Sequence, residues 1–270
     1  MTTQKQKEHD AKVVHQFTRQ AIPFTELPGH MDSIQMLIEM SKVAGNDLVL
    51  DVACGPGLLA CELARVAQYV TGIDLTEEMI EQAKKRQKEL GLTNLSWDTG
   101  TASRLPYSSN SFSVVVTRYS FHHLLDPKPV LSEMIRVCKP DGIVLIADAA
   151  LPANKVDAYN RMEKLRDPSH TQALSYDAWN QLMRESGLRD LQRGNYKVEM
   201  ALEKQLKASF PNPGDDEKIR DIFRGDIGVN ALGMDAYLLG NEIHFSYPIS
   251  IYAGKKQAEQ DTSPDIHHRK

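Results

Sequence analysis

Cysteine is scarce in this 270-residue chain: Cys54, Cys61 and Cys138 are the full set, and no two form a C-x-x-C pair. An odd, unpatterned set of this kind excludes a disulfide framework and a thiolate metal site, and fits reduced thiols in the cytoplasm. Basic charge is also short. Thirty-two Lys and Arg face 36 Asp and Glu, a net charge of −4, whereas a nucleic-acid surface carries a basic excess. No apolar run approaches the roughly 20 residues that a membrane-spanning helix needs. The opening "MTTQKQKEHDAKVVHQF" holds no apolar stretch of a secretion signal. These shortages set the expectation of a cytoplasmic protein with no nucleic-acid partner and no membrane span.

What remains has ordinary globular proportions, 41% hydrophobic and 25% charged. Residues 1–12 read as a polar, frayed start, followed to about Met40 by two short helical segments punctuated by Pro23 and the "PGH" of residues 28–30. A regular rhythm then begins. β-Branched runs at Leu48–Ala53, Tyr69–Asp74, Leu95–Asp98, Ser113–Thr117 and Gly142–Ala147 alternate with helical patterns at Gly57–Val66, Glu77–Leu90 and Pro129–Cys138. "VVV" and "IVLIA" are apolar throughout, as strands covered on both faces are. Alternating βαβ units of this kind imply an α/β fold with an open, doubly wound, mostly parallel sheet. After Asp148 the pattern predicts a loop and a helix, then a helix in "SYDAWNQLMRESGL". Strands near Leu191–Met200 and Ile243–Tyr252 are expected to complete the sheet, with the long stretch between them forming a lid. Residues 255–270 read as a polar, disordered tail.

The densest chemical signal is "LVLDVACGPGLLACELA", residues 48–64. Gly55-Pro56-Gly57-Leu58-Leu59-Ala60 fits the G-x-G-x-x-G/A turn that receives a dinucleotide pyrophosphate at a helix N-terminus. Two features oppose that reading. Asp51, at the strand end, would repel a pyrophosphate but attract the cationic methionine part of S-adenosylmethionine. Pro56 removes a backbone donor from between the two glycines. Asp74, ending "VTGIDLT", suits a ribose in either cofactor.

At this point the order of motifs is informative. "VLDVACGPG", "VTGIDLTEEMIEQAKK", "LPYSSNSFSVVVTRYSFHHLLDP" and "LSEMIRVCKPDGIVLIAD" resemble the successive motifs of class I S-adenosylmethionine-dependent methyltransferases. Within these they resemble the methyltransferase type 11 subgroup that holds the ubiquinone and menaquinone biosynthesis C-methyltransferases. The resemblance implies a Rossmann-like, seven-stranded sheet of order 3-2-1-4-5-7-6 with its seventh strand antiparallel. It implies a helical cover over residues 1–40, the methyltransferase domain over 41–254, and a lid insertion at 199–241. It puts Asp51, Ala53, Cys54, Gly55 and Gly57 around the methionine moiety, and Asp74, Leu75 and Met79 at the ribose and adenine. Thr101 and Ala102 would meet the adenine edge, and Arg118 and Tyr119 would border methionine and substrate. Two positions depart from the family: Ala53 stands where glycine is common, and Thr101 where an aspartate is usual.

Methyl transfer needs positioning, plus a base only where the acceptor must lose a proton. "RYSFHH" offers His122 and His123 after the fourth strand, with His123 the preferred base; the alternative is that one ring packs under the next helix. No Cys, Asp or Glu stands near them at ligand spacing, since Asp126 reads as a helix N-cap, so no metal is expected. "LRDPSH" adds Arg166 and His170 as substrate-binding candidates and His170 as a further catalytic one; Asp-Pro-Ser alone is also a turn sequence. Phe17 or Phe24 could reach the adenosine, and Cys54 is expected to pack rather than react. The expectation is a monomeric or homodimeric methyltransferase for a small molecule, with a quinone-like or phenolic acceptor. The alternatives are a binder of S-adenosylmethionine that does not methylate and an NAD(P)-dependent oxidoreductase.

Overall fold

The computed structural model describes residues 3–26, 31 and 33–258. The N-terminal helices are α1 (Gln4–Gln20), α2 (Pro23–Glu26) and α3 (Ile34–Ser41). The alternating region follows as β1 (Leu48–Val52), α4 (Leu58–Leu63), β2 (Tyr69–Asp74), α5 (Glu77–Glu89), β3 (Leu95–Thr99), β4 (Phe112–Arg118), α6 (Pro127–Val137) and β5 (Cys138–Leu151). Then come α7 (Ala153–Arg166), β6 (Leu174–Ser175), α8 (Tyr176–Glu185), β7 (Arg189–Ala201), α9 (Leu202–Ser209), α10 (Asp215–Asp226), β8 (Tyr237–Leu239) and β9 (Glu242–Lys255).

The sheet runs β3-β2-β1-β4-β5-β9-β7, parallel through β5, with β9 antiparallel to both neighbours. This is the expected order, β9 and β7 being the seventh and sixth strands of that scheme. Among the described residues the sheet gains two short strands that the sequence pattern does not announce: β6 beside β5 and β8 beside β9. Alternation along β1 divides the core. Val49 packs with α3 and α4 on one face, while Leu50 and Val52 pack with α6 and α8 on the other. Register brings Asp51, Asp74 and Arg118 to one edge, since Asp51 pairs with Gly72 and Val116 and Arg118 with Ala147. That edge is the carboxyl end of the parallel strands, where open α/β sheets bind ligands.

Two expectations need correction. The start is not frayed from residue 3 onward. Thr3 caps α1 by accepting from Gln6 N at 3.1 Å, and Gln4–Glu8 and Gln6–Asp10 side-chain bonds run along its outer turns. Its buried residues, Gln16 and Gln20, are polar, so the helix gives little apolar periodicity to read. The stretch between β7 and β9, read as a lid, carries two helices, and Leu202 and Leu206 of α9 and Ile219 and Phe223 of α10 join the core. Finally, α7 follows β5 almost at once, with Pro152 as its N-cap, leaving no room for the expected loop. The "PGH" at 28–30 and residues 259–270 of the tail lie outside the described residues, as does the Phe24 side chain.

Candidate active site

The turn after β1 is wound tightly, with Ala53 (φ 54°), Gly55 (φ 53°) and Gly57 (φ 73°) all left-handed. Glycine adopts this conformation freely, whereas alanine at position 53 does so at a cost of about 1 kcal/mol. The turn consumes its own donors. Cys54 N–H donates to Ile73 O (3.0 Å), Gly55 N–H to Asp74 Oδ2 (2.8 Å) and Gly57 N–H to Cys54 O (3.1 Å), while Pro56 has none. No amide from 54 to 57 is left for a pyrophosphate, so the dinucleotide match is one of letters only. Gly57 is small for a packing reason. A Cβ there would come within 2.7 Å of Trp97 and 3.0 Å of Ala83.

A cavity of about 260 Å³ opens at the strand ends. Asp51, Ala53, Cys54, Gly55, Asp74, Leu75, Met79, Thr101, Ala102, Arg118 and Tyr119 all line it, as expected, and Gly57 does not: its place is against Trp97 and α5. Asp51 is 1% exposed and its Oδ2 has no hydrogen-bond partner among the described residues. Burial pushes its pKa up to about 7, with Asp74 adding to the rise and Arg118 opposing it. Asp74 is held by two amides, Gly55 N–H and Thr76 N–H, each at 2.8 Å; burial still outweighs them and raises its pKa. Thr101 Oγ1 lies 3.0 Å from Ser103 Oγ at the same end. Cys54 is buried and its thiol is pushed well up by that burial, which suits packing and not nucleophilic attack.

At the other end of the cavity the two adjacent histidines part company. His122 Nδ1 lies 2.6 Å from Asp148 Oδ1; a carboxylate can only accept here, so Nδ1 carries the proton and Nε2 the lone pair. Asp148, 1% exposed at the end of β5, also accepts from Phe121 N–H (2.7 Å) and Ala149 N–H (2.6 Å). Burial pulls the His122 pKa down, but the Asp148 carboxylate outweighs it and leaves His122 above its ordinary value. His123 has no carboxylate on its ring. Its Nδ1 faces Ser169 O at 3.2 Å and Ser169 Oγ at 3.1 Å, and Phe17 of α1 packs edge-on at 4.9 Å. Burial and the neighbouring His122 lower its pKa to about 3. The two rings thus differ in their partners: His122 is backed by a buried carboxylate, whereas His123, the base preferred from the sequence, faces Ser169.

His170 is a second correction. It is 5% exposed, absent from the cavity lining, and its Nε2 meets Asn160 Oδ1 at 2.8 Å. Burial and the two other histidines depress its pKa, so it serves as a packed neutral ring. Arg166 does line the cavity, but its guanidinium is committed: Nε and Nη2 donate to Glu163 Oε2 (2.9 and 2.6 Å) and Nη1 to Ser209 Oγ (3.0 Å). Asp167 accepts from Ser169 and from Gln20 of α1, which ties the N-terminal helix across the site. Sequence reasoning passed over Asp148, Glu163, Gln205 and Tyr247. Asp148 alone had a signal, an acidic residue directly after the apolar run "IVLIA".

Residues 44–196 match the family described as "Methyltransferase domain". This chain belongs to the S-adenosylmethionine-dependent methyltransferases. It is 31% identical over 172 residues to the uncharacterized methyltransferase YcgJ of Bacillus subtilis, the match covering 62% of this chain and 68% of that protein. The crystal structure of YcgJ superposes with a TM-score of 0.77 at 26% identity, over 84% of this chain and 99% of that one. A demethylmenaquinone methyltransferase of Lactobacillus johnsonii is 32% identical over 155 residues, 49% of this chain and 62% of the relative. The fold is also that of the [4+2]-cyclase SpnF (TM-score 0.56, 18% identity, over 83% of this chain and 80% of that one). Among the described residues no helix is long and apolar enough to cross a membrane.

Proposed function

We propose that this methyltransferase moves the methyl group of S-adenosylmethionine to a small molecule with an ionisable hydroxyl, a phenolic or hydroquinone-type ring. The observation that carries the reading is the His122–Asp148 pair, a histidine with its Nδ1 pinned by a buried carboxylate at the wall of the cavity. A base is of use only where the acceptor must lose a proton, as a phenol must. The names of relatives such as the L. johnsonii enzyme support an acceptor of this kind.

The cofactor-end residues suit S-adenosylmethionine. Asp51 Oδ2, buried and without a partner, suits an ammonium group, and Asp74 keeps acceptor capacity beyond its two amide bonds for ribose hydroxyls. When bound, the cofactor supplies a methyl group activated by a positive sulfonium. The chain's own task is to place the acceptor and take its proton on His122 Nε2, with Asp148 stabilising the imidazolium that forms. Tyr119, whose hydroxyl is hydrogen-bonded to that of Tyr196 at 2.9 Å, lines the same cavity. The helices α1 and α9 close the cavity, the first through Phe17 and Gln20 and the second through Gln205 and Ser209. Within this reading the chain acts on its acceptor in the cytoplasm.

Incubation with methyl-labelled cofactor and a panel of phenols, thiols and amines tests this directly. Transfer to a phenol, abolished in His122→Asn, is the expected result. Cofactor binding without transfer to any acceptor would instead favour a binder that does not methylate.

A further inference from the structure

The loops that leave β2 and β3 run side by side at the cofactor end of the cavity. Asp74 is in register with Thr99, and Gly100 N–H donates to Asp74 O at 2.8 Å, so the loops that carry Leu75 and Thr101 start as neighbours. Leu75, Met79 and Ala102 line the cavity here with apolar surface, and Thr101 and Ser103 line it with hydroxyl-bearing side chains. Apolar surface with a polar edge, beside a carboxylate that suits ribose hydroxyls, fits the flat base of a nucleoside. Asp98 of β3 does not read that base: it is absent from the lining, and its Oδ2 accepts from Tyr107 Oη at 2.7 Å.

The polar edge is a hydroxyl pair that works in either direction. Thr101 Oγ1 lies 3.0 Å from Ser103 Oγ, and Ser103 N–H donates to Thr101 Oγ1 at 3.4 Å. With Ser103 Oγ donating to Thr101, both Thr101 lone pairs are engaged and its own proton is left to give. With Thr101 donating to Ser103 Oγ, one Thr101 lone pair is left to receive. Ser103 is exposed, so solvent completes its bonds in both states. Passing from one state to the other turns two hydroxyls and moves no heavy atom. A 6-aminopurine presents a donor at position 6 and a 6-oxopurine an acceptor. The hydroxyl pair meets both, whereas a carboxylate, which only accepts, meets the first alone.

We infer that Thr101 sets the base specificity of the methyl donor and sets it broadly: the S-inosyl forms of the cofactor and its product, which carry a 6-oxopurine, bind alongside the S-adenosyl forms. This rests on the methyl-transfer reading above and widens its cofactor class. Calorimetric titration with S-adenosylhomocysteine and with S-inosylhomocysteine tests it. Failure of the wild type to bind S-adenosylhomocysteine would overturn the underlying reading and this inference with it.

The wild type is expected to bind the two ligands with affinities within about 10-fold of each other. Thr101→Asp, an acceptor only, should keep S-adenosylhomocysteine and weaken S-inosylhomocysteine, widening the ratio by about a further 10-fold or more. Thr101→Val, which neither gives nor receives, should weaken both ligands by about 3- to 10-fold and leave their ratio unchanged. Thermal melting checks that both variants fold. A wild type that prefers S-adenosylhomocysteine by more than about 10-fold would overturn the inference while leaving the methyl-transfer reading in place. So would a folded Thr101→Asp with the wild-type ratio, or a folded Thr101→Val that binds both ligands as the wild type does.

Discussion

Replacing Asp51 by asparagine is expected to make the unliganded protein more stable and a poorer binder at once. Asp51 is 1% exposed, one of its oxygens is unpartnered, and its pKa is raised from 3.8 to about 7. A folded-state pKa above the unfolded value means a contribution that is fully present below about pH 3.8 and lost as pH rises through about 7. Above that range the ionised carboxylate burdens the folded protein by roughly 4 kcal/mol. Asparagine cannot ionise, so the burden goes, but Arg118 loses a nearby opposite charge and the new amide needs partners of its own. The net gain should be about 1–2 kcal/mol at pH 8, or roughly 2–8 °C in Tm for a chain of this size, shrinking toward pH 5. The ammonium group of the cofactor meanwhile loses a charge-assisted bond, weakening S-adenosylhomocysteine by about 10- to 100-fold. Melting curves at pH 5 and 8 and calorimetric titration read both effects. A variant less stable at pH 8 with unchanged affinity would refute the reasoning and make Asp51 a structural acceptor.

Three further expectations follow from the same geometry. Turnover should rise with pH through the raised pKa of His122, because the base works only when neutral; Asp148→Asn should move that limb to lower pH and cut kcat by about 100-fold or more, with cofactor affinity unchanged. A flat pH profile on a proton-losing acceptor would remove His122 from this role. Gly57→Ala should cost about 2–4 kcal/mol in denaturant melts, because its Cβ would meet Trp97 and Ala83 in a left-handed turn. Ala53→Gly should stabilise by about 0.5–1 kcal/mol, since position 53 is left-handed and glycine relieves it.

The parallel half of the molecule was legible because its strands are apolar on both faces. "VVV" at 114–116 and "VLIA" at 144–147 are buried throughout, and sequence alternation marks every βαβ step up to Asp148. The polar helix α1 was not. Gln16 and Gln20 are buried by hydrogen bonds to Ser209 O and Asp167, and such burial leaves no apolar stripe. The same physics hid part of the site. Asp51, Asp74 and Arg118 lie at strand ends, which a pattern can locate, so their place in the cavity lining was readable. The difference between His122 and His123 was not legible, because what separates adjacent imidazoles is the partner of each ring, and Asp148 lies 26 residues beyond His122 in sequence. His170 was misplaced for a similar reason: only the fold reveals that Asn160 holds it away from the cavity.

The most direct measurement is a crystal structure of the protein with S-adenosylhomocysteine. The ligand's amine is expected within hydrogen-bond distance of Asp51 Oδ2, its ribose hydroxyls on Asp74, and its sulfur facing the end of the cavity that holds His122. A ligand that leaves Asp51 unpartnered, or whose sulfur faces away from His122, would contradict the assignment of this cavity to methyl transfer.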